Sequence, residues 1–519
     1  MRRQRRFAKA CLIATLACGA CSSLRTSYVK PYSAAFAAPP NAPTTQYVES
    51  KLTDHEGQSG FRLLINNVDA LMSRIVLADK ATRSIDLQYY IYDNDHTARL
   101  VSQHLLAAAD RGVRVRLLLD DLDAGDAEHI MDGLDAHPNV EVRLFNPFHT
   151  RNPSLLSRVG QFLIDGPRLN RRMHNKSFIV DNSVAIIGGR NIGDAYFEDG
   201  DTQHFSDLDV IAIGPVVTQT SQAFDTYWNS KEAYPVKAFD STKADGDDLA
   251  NLRQMLPVGA RAVSHSDYAS ALIDALPGGT TVQRPGQWLW GRASVVADKP
   301  QKVDSDNDGD AALRLEPKLD SMIGAAQKEV LLISAYFVPG DEDTKFFNSL
   351  AQRGVKVKVL TNSLSATDEP MVHAGYARYR RDLLKGGVEL YELRPIAGHK
   401  QPPAHGTSSG VSLHAKAIVV DRRTVFVGSM NMDQRSRLLN TEMGVIADSP
   451  DLAKATVDFF NSATDPHNAY RVTLENSTMQ WRTAGPDGKP VVSTHEPDVP
   501  LSRRIEVYLL RVLPIDGLL

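Results

Sequence analysis

The 519-residue chain is 42% hydrophobic and 23% charged with a formal net charge of −4, the balance of a globular protein long enough for two or more domains. The first 20 residues carry five basic and no acidic side chains, so the remainder sits at −9. No global field favours nucleic acid, and all three cysteines (Cys11, Cys18, Cys21) lie in the N-terminal segment, which excludes disulfides and cysteine metal sites in the body.

Residues 1–21 read as an export signal: the basic MRRQRRFAK, a short apolar stretch, then small residues up to Cys21. This resembles a bacterial lipoprotein signal, with Cys21 as the lipidated residue of a protein exported to the periplasmic side. Peripheral attachment to the inner membrane is the alternative. Residues 22–56 are rich in Pro, Ala, Ser and Thr and are expected to be a flexible tether. No other segment is apolar enough to span a bilayer.

An N-terminal domain over 57–236 opens with GFRLLINNVDALMSRIVLADKA, expected as an amphipathic helix. The strand SIDLQYYIYD, the helix TARLVSQHLLAAADRG and the buried strand VRVRLLLDDLD follow as a β-α-β unit, which requires a parallel strand pair. Residues 237–310 are polar and expected to be a linker or insert. Their DSDNDGD run lacks the Glu that a calcium loop needs at its twelfth position, where Leu315 stands. A second domain over 311–470 repeats the order: helix EPKLDSMIGAAQKE, strand VLLISAYFVP, helix TKFFNSLAQRG, strand VKVKVLTNSL. The repeat predicts two similar α/β domains related by a pseudo-twofold axis. Residues 471–519 form a tail whose SRRIEVYLLRVL is amphipathic.

Both domains contain one phrase, HNKSFIVDNSVAIIGGRN and HAKAIVVDRRTVFVGSMN, with His414 following His174 by 240 residues. The shared pattern H-x-K-x4-D-x6-G-[GS]-x-N reads as a hairpin. His174 and Lys176 share one strand face, as do His414 and Lys416. Asp181 and Asp421 have the other parity and fall at the turn, which gives them a structural role. Gly189 and Ser429, each second of a small pair, allow close backbone approach, so that Asn191 and Asn431 reach the same site. A neutral imidazole attacks phosphorus, lysine supplies charge, and Asn and Ser supply neutral donors, with no metal or other cofactor required. One histidine forms a phosphohistidine while the other protonates the leaving oxygen and then deprotonates the acceptor.

Each histidine needs an acid on its other nitrogen. Aligning FSDLDVIAIGP with NTEMGVIADSP sets Asp207 opposite Glu442 and passes over Asp209, which assigns Asp207 to His174 and Glu442 to His414. Tyr90 ends a strand at the site and Asn362 ends the matching strand of the second copy, both expected to bind substrate, and His373 lies in a nearby helix.

The doubled phrase resembles that of the phospholipase D superfamily. SIDLQYYIYD, GVRVRLLLDD, LNRRMHNKSFIVD, FSDLDVIAIGPVV, TNSLSATD and LLNTEMG resemble its bacterial cardiolipin synthase C type, over roughly residues 57–470. The resemblance implies two α/β/α sandwich domains with the active site at their interface, and transfer of a phosphatidyl group from phosphatidylethanolamine to phosphatidylglycerol. His174 is read as the nucleophile and His414 as the acid/base, with the reverse left open by symmetry. Hydrolysis to phosphatidic acid uses the same residues, and a nuclease is a further alternative. The expected partners are phospholipid and a membrane surface, reached through the N-terminal lipid anchor, with no nucleic acid. Two half-sites in one chain suffice as a monomer.

Overall fold

A computed structural model describes residues 24, 27–122, 127–149, 160–161, 165–197, 204–239, 246–263, 287–304, 309–395 and 410–511. The signal segment with Cys21, most of the DSDNDGD run and the last eight residues lie outside them.

In the N-terminal half the elements are Ser59–Leu64 (β1), Asn67–Lys80 (α1), Ser84–Tyr89 (β2), His96–Asp110 (α2), Arg114–Asp120 (β3), Val140–Phe145 (β4), Ser177–Val180 (β5), Val184–Gly188 (β6), Asp209–Ile213 (β7) and Pro215–Trp228 (α3). The sheet runs β4-β3-β2-β5-β6-β7-β1, parallel from β4 to β2 and antiparallel beyond. The C-terminal half contributes Leu289–Ala297 (β8), Glu316–Gly324 (α4), Glu329–Ser334 (β9), Gly340–Gln352 (α5), Lys356–Asn362 (β10), Pro370–Lys385 (α6), Glu389–Leu393 (β11), Lys416–Val420 (β12), Thr424–Gly428 (β13), Met443–Asp448 (β14) and Pro450–Ala463 (α7). Its order, β11-β10-β9-β12-β13-β14-β8, repeats the first. The chain is therefore two α/β/α sandwich halves with the same topology.

The strands that carry the repeated phrase are apolar on both faces, because both are covered. Phe178 and Val180 enter the core under the outer helices, while Ile179 enters the core between the halves. Ile418 and Val420 likewise face outward, and Ala417 and Val419 face inward. The inward faces of both sheets, with α3 and α7, share one core containing Phe224, Trp228, Leu452 and Phe460.

Three expectations are corrected. First, GFRLL is strand β1, which pairs with β7, and the helix starts only after Asn66, whose side chain accepts from Asp69 N at 3.1 Å. The Asn cap separates two apolar runs that read as one. Second, the linker over 237–310 holds structural elements: helix Gly246–Val263 buries Leu252 and Leu256, and β8 is an edge strand of the second sheet. The first residues of β8 also pair with β1 at Ser59, Gly60 and Phe61, so the two sheets are continuous. Arg292 and Ser294 break its apolar pattern because it is only half covered, and Gly291 does so because a Cβ there would lie 2.5 Å from Asp448 O. Third, the described part of the tether over 22–56 is packed, not free. Lys30 Nζ donates to the Ser230 and Lys231 carbonyls at 2.8 Å each, Ala35 N donates to Asp225, and Pro43–Leu52 is a helix. From Ala469 the chain extends the sheet with Ala469–Glu475 (β15), Thr478–Ala484 (β16) and Pro490–Ser493 (β17), and its last described helix is Leu501–Leu510 (α8).

Candidate active site

The site forms where the two halves exchange backbone. Arg172 to His174, just before β5, lie alongside Asn440 and Thr441 of the other half: His174 N donates to Thr441 O at 2.8 Å, and Thr441 N to Arg172 O at 2.9 Å. Symmetrically, Val411–Leu413 pairs in parallel with His204–Ser206, and His414 N donates to Ser206 O at 2.8 Å. The residue after each partner strand is an acid, which thus lands beside the histidine of the opposite half. His174 Nδ1 meets Glu442 Oε2 at 2.9 Å, and His414 Nδ1 meets Asp207 Oδ2 at 2.6 Å. The pairing expected from alignment is therefore exchanged. Glu442 and Asp207 each lie against a histidine, but against the other copy's, because the exchanged strands bring 441–442 to 174 and 206–207 to 414. Asp209, passed over, is buried against Arg74 at 2.9 Å and Arg190 at 3.3 Å.

An acid on Nδ1 fixes the tautomer that carries the proton there and leaves the Nε2 lone pair for chemistry. His174 and His414 are only 8% and 6% exposed, and burial dominates their electrostatics. Burial, helped by the Lys176 and Lys416 charges, holds His174 well below the usual imidazole value. The same causes bring His414 to about 4 against the opposing pull of Asp207. Lys176 falls to about 7 and Lys416 to about 8, both by burial, opposed by the acids of the site. Glu442 rises to about 7 by burial. Burial pushes Asp207 up as well, but the His414 contact and the Lys416 charge outweigh it and hold the carboxyl below the usual range. Lys176 Nζ donates to the His174 carbonyl at 2.7 Å, and Lys416 Nζ lies 2.8 Å from His414 Nδ1. Each lysine is thereby folded against its own histidine.

The acids are held differently. Ser429 Oγ donates to Glu442, and Met443 N donates to Ser429 Oγ at 3.1 Å. At the equivalent Gly189, a Cβ would lie 2.3 Å from Asp207 Oδ1. The second residue of each small pair thus seats the acid of its own half. Asn191 Oδ1 accepts from Ile91 N at 3.1 Å and its Nδ2 donates to Tyr196 OH at 2.7 Å, while Asn431 Oδ1 accepts from Tyr336 N at 3.3 Å. Both brace the segments leaving β2 and β9. Asn362 was expected to bind substrate, but its amide is taken up by the backbone of Leu413, in both directions at 2.8 Å. It sets the residue before His414. Tyr90 is at the site, with its ring edge-on to His174 at 5.2 Å and Lys176 Nζ 5.6 Å from its centroid.

Asp181 and Asp421 sit at the hairpin turns with positive φ. Asp181 accepts from the backbone N–H of Thr82, Arg83 and Ser84, and Asp421 from those of Gln327, Lys328 and Glu329. Neither touches its histidine. His373 is buried, 3.4 Å from Glu496.

Other residues at the site went unnoticed in the sequence. Asp298 accepts from Glu442 N at 2.8 Å, pairs with Lys302 and is raised to about 6 by burial; it lay in the stretch read as linker. Tyr196 and Phe205 pack on His414 at 5.2 and 5.0 Å. Asn175 accepts from Thr441 Oγ1 at 3.0 Å. Asp120 accepts from Met173 N at 2.8 Å; its signal was the acidic end of VRVRLLLDD. Among the described residues, no three or more His, Cys, Asp or Glu side chains are grouped to hold a metal ion.

The profile of the cardiolipin synthase, PLD-like domain family matches residues 75–228 and 319–464, one stretch in each half. The chain is 40% identical over 484 residues to cardiolipin synthase C of Escherichia coli, covering 90% of this chain and 98% of that one. It is 36% identical over 421 residues to an uncharacterised protein of Helicobacter pylori, covering 80% and 81%. Among solved structures, phosphatidylserine synthase of Haemophilus influenzae aligns with a TM-score of 0.55 at 13% identity, covering 92% of this chain and 100% of that chain, a likeness of fold.

Proposed function

This chain belongs to the phospholipase D superfamily, in its cardiolipin synthase group, and from that premise we propose that it makes cardiolipin by moving a phosphatidyl group onto phosphatidylglycerol. The superfamily's phosphatidyltransferase chemistry needs two histidines in distinct roles. The observation that carries the reading is the crossed pair of contacts, His174–Glu442 and His414–Asp207.

His174 Nε2 attacks the donor phosphorus, the bond to the headgroup oxygen breaks, and His414, which enters this step as the imidazolium that Asp207 stabilises, delivers its Nε2 proton to that oxygen. The hydroxyl of the acceptor lipid then gives its proton to His414 while its oxygen attacks phosphorus and the P–Nε2 bond breaks. The assignment follows from the acids. Asp207, held ionised, supports the imidazolium of His414, while His174, held well below the usual imidazole value by burial, is suited to attack. Lys176 and Lys416 offset charge on the phosphoryl oxygens. Both histidines are nearly closed off, which favours a lipid hydroxyl over water as acceptor.

Attachment of the exported chain to the membrane through Cys21, and action as a monomer, complete the proposal. Lipid mass spectrometry of purified protein given phosphatidylethanolamine and phosphatidylglycerol tests it. Cardiolipin is the expected product; phosphatidic acid alone would make the enzyme a hydrolase.

A further inference from the structure

The C-terminal helix α8 has two apolar faces, and the fold uses one. Val507 and Leu510 pack into a small core with Val338, Leu364 and Ala374. The opposite face carries Leu501, Ile505, Tyr508 and Leu509 at i, i+4, i+7 and i+8, a single helical stripe. These side chains are 68%, 51%, 67% and 62% exposed. Scattered exposed apolar residues are ordinary, but a contiguous stripe calls for a partner. Arg504 and Arg511 border it on one side, and Ser502 and Glu506 on the other.

The helix lies on the catalytic rim. Val338 and Leu364, which it covers, follow the C-terminal ends of β9 and β10, the ends that face the site. Arg503 donates to Thr367 O at 3.1 Å, and the neighbouring Asp368 accepts from Tyr336 OH at 2.8 Å. Tyr336 is the residue whose backbone Asn431 braces. Met371, at the start of α6, and Leu438, four residues before Glu442, add exposed apolar side chains to the same half.

We propose that the outer face of α8 is a docking surface for a bilayer containing anionic phospholipid, and that it sets the catalytic mouth against the headgroups. Four side chains on one helix are too few for a stable protein interface, which buries about 1,600 Å² in total. Aliphatic side chains beside a tyrosine and bordered by arginines suit the interface of an anionic membrane. Burial of the stripe to the depth of the headgroup boundary would turn the mouth toward its substrate with no spanning helix, and no described helix is long and apolar enough to span. The inference rests on the reading that the substrate is a bilayer phospholipid, so binding is measured apart from turnover.

The test uses the mature chain from residue 21 carrying Cys21→Ser, so that every sample lacks both the acylation site and the basic, apolar segment 1–20. Vesicles of phosphatidylglycerol in phosphatidylcholine are sedimented with this parent and with Ile505→Ser/Tyr508→Ser/Leu509→Ser. The triple variant is expected to bind about tenfold more weakly while turning over a monomeric short-chain phospholipid at the parental rate. Arg504→Gln/Arg511→Gln is expected to weaken binding to anionic vesicles and leave binding to pure phosphatidylcholine unchanged. Equal sedimentation of parent and triple variant would overturn the proposal. So would a parent that is dimeric by ultracentrifugation and made monomeric by the triple substitution with vesicle binding intact, since the stripe would then join two copies of the chain.

Discussion

Replacing the two acids separately should split the reaction into its halves. In Asp207→Asn the carboxylate 2.6 Å from His414 Nδ1 becomes neutral. At a charge separation of about 4 Å and an effective dielectric of about 20, the lost attraction for the His414 imidazolium is about 4 kcal/mol, or roughly 10³-fold in rate. Both groups are buried, so solvent relieves little of this loss. The loss falls only on steps in which His414 is or becomes charged. A phosphatidyl ester of p-nitrophenol needs no proton on its leaving oxygen. Asp207→Asn should therefore release a burst of one p-nitrophenolate per enzyme and then stall, because the acceptor hydroxyl must still lose its proton to His414. With an ethanolamine headgroup the same variant should show no burst and a rate about 10³-fold down. Glu442→Gln should slow the burst itself with both substrates, because it weakens the attacking His174. Stopped-flow absorbance follows p-nitrophenolate, and rapid-quench assay of released ethanolamine follows the other substrate. A burst kept by Glu442→Gln and lost by Asp207→Asn would refute the assignment of nucleophile and acid, and identical behaviour of the two variants would refute the division of labour.

Further outcomes follow from the geometry. The kcat/KM profile should fall on its alkaline side as free His414 loses the proton it must deliver, from about 4, and more steeply near about 7 and about 8 as Lys176 and Lys416 lose charge. Bound phosphate favours the charged lysines, so the same limb in kcat should lie at higher pH, and the acid limb of both should lie below the ordinary histidine range. Folded-state lysine values below the unfolded ones mean that the unfolded chain binds more protons above about pH 7, so the stability cost of these lysines is full below that pH and is relieved as pH rises toward 10.5. Gly189→Ala should lower kcat by roughly 10²-fold or more, since its Cβ would displace Asp207, while Ser429→Ala, which removes one hydrogen bond to Glu442, should cost about tenfold. Asp181→Ala should lower stability by about 2–3 kcal/mol in urea titrations, through three orphaned N–H groups, and leave kcat of the folded fraction unchanged.

The two halves and their β-α-β order could be read because helices and covered strands leave long periodic signals, and repetition doubled each of them. Elements with weak signals were lost. β8 is half covered and broken by Gly291 and Arg292, and β1 runs into its helix with only Asn66 between. The N-terminal stretch resembled a tether because its contacts use backbone carbonyls and single polar atoms, such as Ser33 Oγ accepting from Trp228 Nε1 at 2.8 Å. In the site, repetition marked both histidine–lysine pairs, and parity separated Asp181 and Asp421 from them. The exchanged acids were beyond reach for a different reason. Aligning two copies finds equivalent positions, and equivalence is the same whether each acid serves its own half or the other. Only the parallel pairing of 172–174 with 440–441, and of 411–413 with 204–206, decides it.

Because each histidine borrows its acid, neither half is a catalytic unit. A single half would carry a histidine without a tautomer-fixing partner, and two copies of it related by a twofold axis would restore both contacts at once. Fusing two such copies in one chain replaces association by an effective concentration and makes the site independent of dilution. Fusion also lifts the constraint that both acids be alike. Asp beside Gly in one half and Glu beside Ser in the other are a pair of solutions that a symmetric dimer of identical chains could not hold together.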